Sequence, residues 1–129
     1  MVQQYLGLRH EYGVCDCITL VHSFYKQELG LDFILPDYPH STLWMRHFTL
    51  ESIDDLASKY SVKVKLTEGE NYDVIAFKTR NCNFITHFGI LLKPTQMLHI
   101  EEGGVSCVER LSDYWINNIH SLYRHESLV

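Results

Sequence analysis

From Asp16 onward the apolar residues Ile18, Val21, Phe24, Tyr25 and Leu29 recur at three- and four-residue steps, the period of one helix face. Asp16 suits the cap at its start and Gly30 the stop at its end. Pro36 and Pro39 make 31–39 an extended connector rather than more helix. Leu50, Ile53, Leu56, Ala57 and Tyr60 share a second helical face over 49–60, with Thr49 as cap and acidic residues near the positive helix end. The period then shortens to two. Strands are predicted at 62–66, 73–77, 87–92, 98–100, 105–108 and 121–124, with Gly103-Gly104 as a turn, while 113–119 fits neither period clearly. Helices first and strands afterwards predict an α+β domain, N-terminal helices packed on an antiparallel sheet.

The hairpin within 87–101 fixes its own register. Even positions Phe88, Ile90, Leu92, Leu98 and Ile100 are apolar, whereas the odd set includes His87, Gly89, His99 and Glu101. A single apolar face forms only if even positions pair with even ones, which sets Leu92 opposite Gln96 and His99 opposite Gly89. His87 and His99 are then diagonal neighbours on one face, with α-carbons about 7–8 Å apart. Glycine at 89 leaves room between them.

At 129 residues, with 46% apolar content, the chain fits one domain over 1–129. A net charge of -5, 11 Lys+Arg and no basic run give no footprint for nucleic acid or an anionic membrane surface. Neither is expected as a partner. No signal segment and no run of 18 apolar residues is found, so a soluble chain made in a reducing compartment is expected. Cys15, Cys17, Cys82 and Cys107 are then free thiols or ligands rather than a disulfide framework.

Those facts make the cysteine before the first helix a chemical candidate. A cysteine is nucleophilic as thiolate, and a helix N-terminus or an imidazole neighbour favours that form. Cys17 is placed for both, and first-turn amides would be available to an oxyanion. The competing readings are a small buried hydrophobe for Cys17 and two hairpin surface histidines among the eight in the chain. His87 is assigned as general base and acid, and His99 as the residue that orients it. A metal centre built from Cys15, Cys17, His87 and His99 lacks the Cys-x2-Cys spacing of zinc fingers, so neither metal nor other cofactor is expected there. Tyr114 and Trp115 read as core or interface aromatics, and Cys82 and Cys107 as packing residues.

Tyr12-Gly13, Asp16-Cys17-Ile18-Thr19-Leu20-Val21, Asp73-Val74-Ile75-Ala76-Phe77, His87-Phe88-Gly89-Ile90 and His99, 12 residues after His87, follow one another in the order of a known pattern. In these segments, spread over about 5–125, the chain resembles the NlpC-type cell-wall cysteine endopeptidases, a branch of the papain-like fold. The run 24–30, the segment 35–39, Tyr114-Trp115 and Tyr123-Arg124 look most similar to the phage tail-assembly and tail-tip branch. The resemblance implies a catalytic Cys17, His87 and His99 hydrolysing peptidoglycan stem peptides. It also implies other tail-tip proteins as partners, synthesis in the host cytoplasm, a place in the virion tail and action at the bacterial cell wall. The alternative is a catalytically silent assembly module of a tail tip. The family's oxyanion-side tyrosine position is His10 here, with Tyr12 two residues later, so both are candidates for the site wall. The glycine of the family's Gly-Asp-Val is Tyr72.

Overall fold

The computed structural model describes residues 2–32, 36–79 and 81–129. Part of the connector expected at 31–39, including Leu35 of the segment 35–39, lies outside them. Helix α1 spans Cys17–Leu29, α2 Leu50–Ala57 and the short α3 Asp113–Asn117. Strands β1 (Ser61–Val64), β2 (Val74–Phe77), β3 (His87–Leu92), β4 (Gln96–His99), β5 (Cys107–Arg110) and β6 (Ile119–His125) form one sheet in the order β1-β6-β2-β3-β4-β5. Each neighbouring pair of these strands is antiparallel, which gives the expected α+β architecture.

The local chemistry explains the boundaries. Asp16 and Thr19 form a reciprocal capping box at the start of α1, and Gly30 ends it in the left-handed conformation at φ 65°. Helix α2 is shorter than its apolar pattern, stopping at Ala57. The 3-residue turn that follows bonds back to Leu56 and Ala57, and Tyr60 lies beyond the helix. The strand expected at 105–108 moves to Cys107–Arg110, because Val105 makes only an isolated bridge to Arg9. The ambiguous stretch resolves into α3 and the start of β6.

Two apolar layers lie on either side of the sheet. On one, Phe88, Ile90, Leu98 and Ile100 pack with Ile18, Val21, Phe24 and Tyr25 of α1. On the other, Leu91 and Met97 pack with Phe77, Leu111 and Trp115. The β3–β4 register is the expected one, Leu92↔Gln96 and Ile90↔Leu98. Even positions therefore face α1 and odd positions face Trp115.

Two inner polar groups pin the frame. Asp73 is fully buried and is gripped in a fork by Arg124, with Nε to Oδ1 at 3.0 Å and a second guanidinium nitrogen to Oδ2 at 2.9 Å. Tyr72 holds φ 76°, the conformation for which glycine is best suited, and its carbonyl accepts from the Tyr25 hydroxyl.

Candidate active site

Cys17 is the first residue of α1, and the chain reaches it through a tight loop in which Glu11 and Cys15 exchange backbone hydrogen bonds. Gly13 in that loop has φ 77°, and a Cβ there would meet the His40 ring at 2.4 Å. The Asp16 carboxylate, 2% exposed, ties the loop to the helix. It accepts from the amides of Gly13 (2.7 Å), Ile18 (3.0 Å) and Thr19 (2.8 Å) and from the Tyr38 hydroxyl (2.9 Å). The first-turn amides expected to face an oxyanion are thus taken at Ile18 and Thr19. The N–H of Cys17 itself is the first-turn donor that Asp16 leaves over.

Tyr12 brings a second donor. Its hydroxyl is buried and makes no hydrogen bond of ordinary geometry among the described residues. Burial, then Glu102, then Asp16 and Cys17 raise its pKa to about 12, so it remains a neutral O–H close to the thiol. His10 stands edge-on behind Tyr12 at 4.6 Å between rings, with its amide on the Gly104 carbonyl. The structure therefore brings Tyr12, rather than His10, toward Cys17.

His87 opens β3 and His99 closes β4. Their rings meet, with His87 Nε2 2.9 Å from His99 Nδ1. Gly89 makes the room: a Cβ there would lie 2.9 Å from Met97 Sδ and 3.7 Å from His99 Cβ. Beyond them stands Glu109, which the sequence reading did not single out. Its Oε1 is 2.8 Å from His99 Nε2, and its Oε2 accepts from Trp115 Nε1 at 2.9 Å. The Trp115 indole also packs against both imidazoles, at 5.4 and 5.3 Å between centroids. Glu109 could have been found by register. Cys107 pairs with His99, so Glu109 shares its face and is diagonal to it.

This chain of groups sets the proton positions. Indole N–H only donates, and a carboxylate only accepts, so Glu109 accepts a hydrogen bond from His99 Nε2–H. His99 Nδ1 is then an acceptor and His87 Nε2 the donor to it. The lone pair of His87 is left on Nδ1, the tautomer a general base needs. Burial first, and then the repulsion that a second positive charge would meet beside the His99 ring, depress His87 to about pKa 3.

Cys17 is 4% and His87 9% exposed. Burial, followed by Asp16, raises the Cys17 thiol well above its ordinary range. The backbone N–H groups of Phe88, Cys17 and Ile18 act in the opposite direction, which places the sulfur beside the residue following His87. Among the described residues no hydrogen bond joins Cys17 Sγ to the His87 ring; the ring's polar partner is His99. At neutral pH the pair rests as thiol and imidazole, not as an ion pair. Because the unfolded chain carries a histidine of pKa about 6.5, it binds the extra proton first. The stabilisation gained by keeping His87 neutral is complete above about pH 6.5 and is lost as pH falls from there toward about 3. Urea midpoints measured across that window are expected to fall with pH in the wild type and to fall less in His87→Gln; parallel curves would contradict this.

Residues 4–124 match the model of the NlpC/P60 family. Tail tip assembly protein K of Escherichia phage lambda is 30% identical over 123 residues, a match covering 94% of this chain and 59% of that protein. The chain thus spans about three-fifths of that relative. A solved NLP/P60-family structure from Staphylococcus aureus, described as similar to a lipoprotein, superposes with TM-score 0.61 at 20% identity. That alignment covers 95% of this chain and 38% of the other, and shows the shared fold. Among the described residues no helix is long and apolar enough to cross a membrane. By the match over residues 4–124 the chain belongs to the NlpC/P60 family, whose members are generally cysteine peptidases.

Proposed function

We propose that the protein is a cysteine endopeptidase that hydrolyses peptidoglycan stem peptides, acting at the bacterial cell wall as a component of a phage tail tip. The observation that carries this reading is the hydrogen-bonded line His87–His99–Glu109, which leaves a lone pair on His87 Nδ1 in the strand that α1 meets at Cys17. A family match over 4–124 and a relative named for tail tip assembly support the substrate class and the setting.

In this mechanism His87 Nδ1 takes the Cys17 thiol proton as the sulfur attacks the peptide carbonyl carbon. The negative charge moving onto the carbonyl oxygen is met by the Cys17 N–H and the Tyr12 O–H. The His87 imidazolium is steadied through His99 by the Glu109 carboxylate. It then gives its proton to the leaving amine, and water, deprotonated by His87, releases the acyl group from sulfur. The test is incubation of the purified chain with peptidoglycan and titration of newly released amino groups. Steady release is expected; none from protein with an intact melting transition would reject the reading.

Tyr12→Phe separates function from packing. Removing a buried hydroxyl that makes no hydrogen bond of ordinary geometry is expected to leave thermal stability unchanged or raised by up to about 1 kcal/mol. Amine release is expected to fall about 10²-fold in kcat with little change in KM. Loss of stability with full activity would make Tyr12 a simple packing residue.

The burial of Cys17 and its missing bond to His87 favour a second reading, a catalytically silent assembly module that associates with other tail proteins. Its signature would be slow alkylation of Cys17 at neutral pH together with stable co-purification with tail components.

A further inference from the structure

The outer end of the histidine line carries three different metal-ligating groups. His99 ends β4, Cys107 is its partner across the β4–β5 ladder, and Glu109 follows on the same face of β5. His99 Nε2, Cys107 Sγ and a Glu109 oxygen all lie within 4.8 Å of one another. Nε2 is 3.7 Å from Sγ and 2.8 Å from Oε1.

In a tetrahedral zinc site the ligand bonds of about 2.0–2.3 Å set neighbouring donor atoms about 3.3–3.7 Å apart. The imidazole and thiol already stand at that spacing, and the carboxylate needs to withdraw by about half an ångström. Its other oxygen is held by the Trp115 indole, so Oε1 is already aimed. The Glu109 side chain is 41% exposed while that of His99 is 1% exposed, which gives an ion an approach from solvent to a ligand on the buried side. Nitrogen, sulfur and oxygen donors together suit zinc better than calcium or magnesium. The proposed nucleophile is not among the three.

We propose that a zinc ion binds His99 Nε2, Cys107 Sγ and Glu109 Oε1, with water in the fourth position, and that its binding silences Cys17. The second half rests on the peptidase reading above. Coordination needs the Nε2 lone pair, so the His99 proton transfers to Nδ1, and the Cys107 thiol proton passes to solvent. His99 Nδ1–H then donates to His87 Nε2, and the His87 proton resides on Nδ1. Two imidazole protons change nitrogen and one proton is released per zinc. The base nitrogen that should accept the Cys17 proton is occupied, although no ligand touches Cys17.

The test titrates cobalt(II), a spectroscopic stand-in for zinc, into the full chain and three variants. One equivalent should give a thiolate-to-cobalt charge-transfer band in the wild type and in Cys17→Ala, and none in Cys107→Ser or Cys107→Ala. A band that survives loss of Cys107, or disappears in Cys17→Ala, overturns the site. In the second arm, iodoacetamide labelling of Cys17 is mapped by mass spectrometry with and without zinc. Zinc should slow wild-type labelling by at least about tenfold, the scale of losing a general base, and leave the Cys107→Ser rate alone. Cobalt binding at Cys107 with a Cys17 rate indifferent to zinc overturns the coupling. Failure of Cys17 to label even without metal counts against both the coupling and the peptidase reading, whereas the cobalt band still decides the site.

Discussion

Cys17→Ala is expected to abolish amine release from peptidoglycan, a loss of at least about 10⁴-fold, with the fold intact. His87→Ala should cost about 10³-fold or more, because in the proposed mechanism His87 is the group that receives the thiol proton. The two changes should not add. Once the nucleophile is gone a base has nothing to activate, so the double variant should match Cys17→Ala alone. Cys15→Ala should keep most activity, since Cys15 precedes the helix and lies outside its first turn. Kinetics of the four variants on one peptidoglycan preparation would check all these expectations. A Cys17→Ala protein with wild-type turnover would remove Cys17 from the chemistry.

Glu109→Gln is expected to lower kcat by about 10²-fold while leaving KM and the melting temperature close to wild type. The cause is proton placement rather than charge alone. Trp115 Nε1–H must find an acceptor, so the glutamine oxygen turns to the indole and its NH2 to His99 Nε2. His99 then keeps its proton on Nδ1, and His87 is driven into the tautomer that lacks a lone pair on Nδ1. Glu109→Gln should therefore be impaired across the whole pH range, rather than shifted along it. A pH–rate profile displaced sideways with an unchanged maximum would point to a charge effect instead.

The hairpin that carries the two histidines was legible because hydrophobic alternation allows one register, and that register is the one observed. The Asp16 cap and the Gly30 stop were equally readable, since capping depends on residues within three positions of the helix end. The consequence of the capping box was harder to see. Asp16 occupies the amides of Ile18 and Thr19, so in the proposed mechanism the Cys17 N–H and the Tyr12 hydroxyl are left to meet an oxyanion. Glu109 was hidden because β5 is half-exposed and shows no apolar alternation, so its face could not be assigned before its pairing with β4 was known. Trp115 was read as a core or interface aromatic and is buried, but its bond to Glu109 was hidden because α3 is five residues long, too short for a periodic face. The tyrosine at the family's glycine position became intelligible only with its backbone, a left-handed turn closed by Tyr25.

Burial unites the two readings of function. A thiol 4% exposed must become reachable before any stem peptide can meet it, and this holds for a peptidase as much as for an assembly module. The measurement that bears most directly on the cooperation of Cys17 and His87 is the rate of Cys17 alkylation by iodoacetamide near neutral pH, mapped to the residue in wild type and His87→Ala. Labelling of Cys17 that slows by at least about tenfold without the imidazole is the predicted result. Equal rates in the two proteins, or labelling confined to Cys15, Cys82 and Cys107, would contradict it.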